Sequence, residues 1–161
     1  MYVVDNVDAV VDLSNVLRCN FGAPCPMVFA EEGKLVLAYW LVDEPPYHPS
    51  AQPLGIVRFH HPCFHLFGPP GEDAISGHPL SGRGLYPGGA FRVDGSSLVR
   101  HLARMTDVEG SNPTNFEALA HFIFTFHDST FECVAESFEA TVEQVGLDEE
   151  HARTLQFLKS Q

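Results

Sequence analysis

The clearest alternation of apolar and polar positions runs from His121 to Ala135. Phe122, Phe124 and Phe126, then Phe131, Cys133 and Ala135, take every second position on either side of Asp128-Ser129. A period of two marks strands, so this stretch predicts an antiparallel hairpin with one apolar face turned to a core. If Asp128-Ser129 is a two-residue loop, His127 faces Thr130, Phe126 faces Phe131, Thr125 faces Glu132 and Phe124 faces Cys133. The opposite face then holds His121, Ile123, Thr125, His127, Thr130, Glu132, Val134 and Glu136, and reads as the polar side of a sheet. Asp-Ser is not a preferred pair for so tight a turn, which leaves the register weakly specified.

Elsewhere the patterns are shorter. Val7, Val10, Val11, Val16 and Leu17 predict a short helix within Asp5 to Arg18. Met27–Ala30 and Leu35–Val42 read as a second hairpin, with Gly33 supplying the positive φ of its turn. Glu44 to Pro53 carries four prolines and reads as a loop. Leu54 to Phe67 reads as one long irregular strand in which Pro62, lacking an amide donor, sits at an edge or a bulge. Gly68 to Gly89 is a long loop rich in glycine and proline, and Ala90–Val93 a short strand. Ser96 has the chemistry of an N-cap for a helix carrying Leu98, Leu102 and Met105 to about Asp107. A polar loop over Glu109–Asn115 precedes the phenylalanine hairpin, and Asp148 would cap a last helix with Ala152, Leu155 and Leu158. Strands joined mainly by hairpins predict a single α+β domain over residues 1–161. It would be built on antiparallel sheet with two or three short helices. A partly open barrel is the alternative.

Composition narrows the class. Hydrophobic residues make up 45% and charged residues 19% of 161, as in ordinary globular proteins, and 13 phenylalanines predict a Phe-rich core. No apolar run reaches the roughly 20 residues that span a bilayer, and Met1-Tyr-Val-Val-Asp-Asn6 lacks the basic and apolar regions of a signal peptide. A cytoplasmic location with reduced cysteines is therefore expected. The formal charge of −12 would repel phosphate backbones and anionic lipids, so neither nucleic acid nor membrane is an expected partner. A basic protein surface would suit such a field, and oligomeric state is left open.

Two segments gather titratable groups. On the polar face of the hairpin, Glu132 would lie diagonal to His127, where a carboxylate can orient an imidazole for general acid–base work. Thr125 and Thr130 on that face would bind substrate. The glycine loop holds His78, a second proton-transfer candidate, and Arg83 between Gly82 and Gly84, a clamp for the anionic group of a small substrate. Upstream, His60-His-Pro-Cys-Phe-His65 places His61, Cys63 and His65 on one face of an unbroken strand. Imidazole and thiolate there would suit zinc, iron or copper, with His78 or His127 as further ligands.

The strings Phe67-Gly-Pro-Pro-Gly-Glu-Asp-Ala74, Gly77-His-Pro-Leu80 with Arg83-Gly-Leu85, and Phe124-Thr-Phe-His-Asp-Ser-Thr-Phe-Glu-Cys133 resemble those of an uncharacterised bacterial protein family. The resemblance spans the middle and C-terminal parts of the chain. It implies no activity and transfers no catalytic residue. Two readings stand side by side. One is a small enzyme (hydrolase, lyase or isomerase, with or without a transition metal) using His127, Glu132 and His78 on a small anionic substrate bound by Arg83. The other is a non-catalytic acidic binding or immunity-type protein whose histidines are structural.

Overall fold

The computed structural model describes residues 3–13, 16–42, 51–107 and 115–146. The chain folds as α+β, with two antiparallel sheets packed face to face and not closed into a barrel. The strands are β1 (Ala9–Asp12), β2 (Met27–Glu31), β3 (Lys34–Trp40), β4 (Ala51–His60), β5 (Phe64–Gly68), β6 (Ala90–Asp94), β7 (Ala120–Thr125), β8 (Thr130–Ala135) and β9 (Ser137–Gly146). The five-stranded sheet runs β1-β6-β7-β8-β5 and the four-stranded sheet β2-β3-β4-β9. One α-helix, α1 (Ser97–Thr106), and three short 3-10 turns complete the described residues. All of the expected loop at Glu109–Asn115 except Asn115, and the expected final helix, lie outside them; so do the first seven residues of the expected proline loop, whose last three, Ala51–Pro53, belong to β4.

The core between the sheets is the apolar face read from the hairpin. Phe122, Phe124, Phe126, Phe131, Cys133 and Ala135 meet Leu35, Leu37, Tyr39, Val57 and Phe59 from the other sheet. Phe59 is the hub, with ring centroids 5.6 Å from Phe131, 5.9 Å from Phe138, 6.0 Å from Phe124 and 6.3 Å from Phe122. Such offset and edge-on pairs are favourable beyond the area they bury. The outer face of the four-stranded sheet is apolar too, with Val36, Ala38, Trp40, Leu54 and Ile56 buried there.

Four expectations change. Residues 9–12 form a strand, not part of a helix: Val10 and Val11 are β-branched and pair with Val93 and Arg92 of β6. The segment 54–67 is two strands, and they belong to different sheets. His61 adopts φ 49° and Pro62 follows it, so the strand stops and the chain crosses from one sheet to the other. The phenylalanine hairpin pairs Phe124 with Phe131 and Thr125 with Thr130. Its turn spans four residues, closed by the Phe126 amide donating to the Ser129 carbonyl at 2.8 Å. Pairing is thus displaced by two positions, which changes partners but preserves faces. Finally, β9 follows directly and pairs with β4 along ten positions.

Candidate functional site

The second face of the hairpin is not a solvated surface. His121, Ile123, Thr125, Thr130, Glu132 and Val134 are all buried. What covers them is the long Gly68–Gly89 segment, which folds back over the sheet through 3-10 turns at Glu72–Gly77 and Ser81–Arg83. Hydrogen bonds fasten it along its length. Thr130 Oγ1 donates to the Pro70 carbonyl at 2.7 Å, and the Glu72 amide to the His127 carbonyl at 2.8 Å. At the other end Thr125 Oγ1 donates to the Tyr86 carbonyl at 2.7 Å and accepts from the Gly89 amide at 2.9 Å. Gly71 passes so close to the turn that a Cβ there would meet the His127 carbonyl oxygen at 2.6 Å. Only glycine fits this approach.

At the centre of the covered face lies a polar chain. Glu132 Oε1 is 3.2 Å from His78 Nε2, and Oε2 is 2.9 Å from His121 Nε2. Nδ1 of His78 accepts from the Leu80 amide at 3.1 Å, so its Nε2 carries the hydrogen that Glu132 receives. His121 Nδ1 is 3.0 Å from Ser96 Oγ, which also accepts from the Val99 amide as the N-cap of α1. The Ser96 hydroxyl accordingly donates to His121 Nδ1, and His121 Nε2 donates to Glu132. One carboxylate thereby ties the loop, two strands and the helix start together. His78, His121, Glu132 and Ser96 are each at most 5% exposed. None of them lines either of the cavities described below.

His78 and Glu132 are therefore brought together, and the segments 69–89 and 121–135 do meet. The expected His127–Glu132 pair does not form, because the four-residue turn carries His127 beyond the paired strands. Its Nδ1 instead lies 2.8 Å from Glu72 Oε1, an ion-pair distance without hydrogen-bond alignment, with both side chains more than a third exposed. Arg83 does not face an open site. Its Nη1 donates to the Asp5 carbonyl and, at 2.8 Å, to the Asp8 carbonyl, pinning the N-terminal segment. Asp8 in turn accepts from the amide and hydroxyl of Ser97 at the start of α1 and from the Asp5 amide. Burial opposes its ionisation, but those bonds and the Arg100 charge outweigh burial and hold the carboxyl below its ordinary value.

The expected metal ligands do not converge. Pro62 breaks the strand, and His61 Nδ1 turns to Glu136 Oε2 at 3.0 Å on the surface. Cys63 and His65 lie exposed along the sheet edge, the first donating its amide to the Val134 carbonyl and the second paired with Cys133. Among the described residues no group of three or more His, Cys, Asp or Glu side chains is arranged to hold a metal ion.

A concavity with room for a ligand lies elsewhere among the described residues, at one end of the sandwich. It encloses about 270 Å³ between Tyr39 of β3, Ala90 of β6 and Phe124–Phe126 at the end of β7. Leu13, Val16, Leu17 and Cys19 form one lip and Tyr86–Gly89 the other. Polar groups inside are already engaged: Tyr39 Oη donates to the Leu17 carbonyl at 3.0 Å, and Cys19 Sγ lies 3.7 Å from the Gly88 carbonyl. Burial pushes the Cys19 thiol up, which removes nucleophilic character. A shallower hollow of about 180 Å³ sits at the opposite end of β3, beside Phe29, Lys34 and Glu139.

Sequence reasoning passed over Asp8, the His121–Ser96 link and the whole cleft. His121 shares a face with Glu132 in the alternation, which was the available signal. The cleft has only a diffuse one, the apolar Leu13, Val16 and Leu17. Comparison with protein-family models, curated proteins and solved structures finds no match.

Proposed function

We propose that this chain is a non-catalytic binding domain that holds a small molecule in the cleft between its two sheets, with its histidine–glutamate centre serving structure. The observation that carries this reading is the closure of that centre. A general base must reach the proton it abstracts, yet His78, His121 and Glu132 are buried and bonded to one another and to the backbone. Arg83 and Thr130 hold the N-terminal segment and the loop, and Thr125, which lines the cleft, spends its hydroxyl on the Tyr86 carbonyl and the Gly89 amide. The cleft, by contrast, is a concavity whose aliphatic and aromatic side chains are interleaved with polar groups in nearly equal measure, a form that can take a small ligand.

One observation favours the catalytic alternative. His127 on the hairpin turn and Glu72 on the covering loop place an imidazole and a carboxylate 2.8 Å apart, both partly exposed, and an accessible imidazole is a group that can exchange protons. Thermal-shift screening of small acids, amines and neutral aromatics against three proteins separates the readings. Stabilising compounds should act on the parent chain and on His127→Ala, and fail on Ala90→Leu, which fills the cleft. Binding lost in His127→Ala and kept in Ala90→Leu overturns the proposal in favour of the turn.

A further inference from the structure

We infer that the inter-sheet cleft selects a compact carboxylate with an apolar body, its charged end held by Arg18 at the mouth. This rests on the cleft being the binding site.

The size of the body follows from the volume. About 270 Å³ equals the space of about nine waters at roughly 30 Å³ each, or an organic molecule of about ten non-hydrogen atoms. The walls define its character: Leu13, Leu17, Tyr39, Phe124 and Phe126 offer aliphatic and aromatic surface on both sides. Tyr39 and Cys19 already have partners within the wall, so the charged group left to a ligand is the one at the mouth, Arg18. Polar recognition is thus displaced to the rim.

At the rim the charge is Arg18. Its backbone is fixed: the Val42 amide donates to the Arg18 carbonyl at 3.1 Å, and the following Cys19 bridges to Leu41. Its side chain lines the mouth, is exposed, and makes no salt bridge among the described residues. The nearby acid is Asp12, whose Oδ2 accepts from the Tyr86 hydroxyl at 2.8 Å. That bond, burial and the Asp12 charge push the Tyr86 phenol up, and Arg18 pulls it down, so Tyr86, Asp12 and Arg18 share one neighbourhood. Tyr86 engages one oxygen of Asp12, and the Arg18 guanidinium, which makes no salt bridge to that carboxylate, is the cation presented at the mouth. A planar fork of donors matches a carboxylate in two-point contact, and the apolar cleft behind it lowers local screening. In a chain of formal charge −12, such a cation at a cavity mouth also distinguishes the site from the surrounding repulsive surface.

Calorimetric titration of the full chain with 3-phenylpropanoate and its uncharged counterpart 3-phenylpropan-1-ol tests this. The acid should bind about tenfold more tightly than the alcohol. Arg18→Gln should bring the acid to the alcohol's affinity and leave the alcohol unchanged, while Ala90→Leu and, independently, Val16→Phe should weaken both. Circular dichroism of each variant establishes that it is folded. Equal affinities for acid and alcohol in the parent chain, or an acid preference that survives Arg18→Gln, overturn the assignment of Arg18 but leave the cleft as the site. No binding of either compound, or binding indifferent to both cleft-filling variants, overturns the carboxylate inference; indifference also removes the cleft reading.

Discussion

Glu132 shows how a residue's chemistry depends on partners that sequence does not place beside it. Its position on the strand and its face follow from alternation, yet the groups it meets are His78, 54 residues away, and His121, 11 residues away on the neighbouring strand. Both present N–H groups, so only a two-acceptor side chain satisfies the geometry. Glu132→Gln replaces one acceptor with a donor. One histidine must then change tautomer: His78 would forfeit its bond from the Leu80 amide, and His121 would reverse its bond with Ser96 and leave that hydroxyl hydrogen without its acceptor. The expected cost is about 2–3 kcal/mol, the scale of an unsatisfied buried polar group, measured by urea denaturation. His78→Ala should cost at least as much, since it strands both the carboxylate oxygen and the Leu80 amide. If either substitution left stability unchanged, the cluster would not be structural and the case against catalysis would weaken.

Among the elements, legibility tracks how many neighbours are needed to define each one. The hairpin faces and the Gly33 turn, where φ is 76°, are local and were readable, as was the Ser96 cap. The hairpin register was not, because a four-residue turn and a two-residue turn leave the same faces inward. β9 escaped because it is an edge strand whose alternation, Phe138, Ala140 and Val142 against Glu139, Thr141 and Glu143, leaves most side chains exposed. β1 reads as helix in isolation because its valines are informative only once β6 lies beside them. Asp8, just before β1, makes that junction testable. Its folded carboxyl lies below the ordinary 3.8, so the unfolded chain binds the extra proton. Stability from Asp8 is complete above that value and fades as pH falls toward the lower folded pKa. Asp8→Asn should therefore lose about 1–2 kcal/mol near neutrality, by the scale of helix-terminal caps and charge-assisted bonds. The gap to the parent chain should close below about pH 3.8. A gap constant through the acid range would show that the charge itself contributes nothing.

For the molecule as a whole, the two sheets present a question of cooperativity. They share one core, centred on Phe59, and the chain crosses between them from β1 to β2, at residues 61–63, and again at Glu136, where the amide donates to the His60 carbonyl at 3.0 Å. Neither sheet retains a full apolar face once the other departs, because Phe59 alone stacks against three phenylalanines of the five-stranded sheet. The expectation is that both unfold together. Trp40, the single tryptophan, lies in the four-stranded sheet, and the fully buried Cys133 in the five-stranded one. Tryptophan emission and trapping of the Cys133 thiol, in a chain whose other three cysteines are serine, should give one urea midpoint. Phe59→Ala should lower both together by the equivalent of about 3–5 kcal/mol, a large part of the stability of a typical domain. Midpoints that separate, or a Phe59→Ala shift confined to one probe, would mean that each sheet has its own source of stability. The cleft would then open without global unfolding, and ligand entry would be coupled to movement of one sheet against the other.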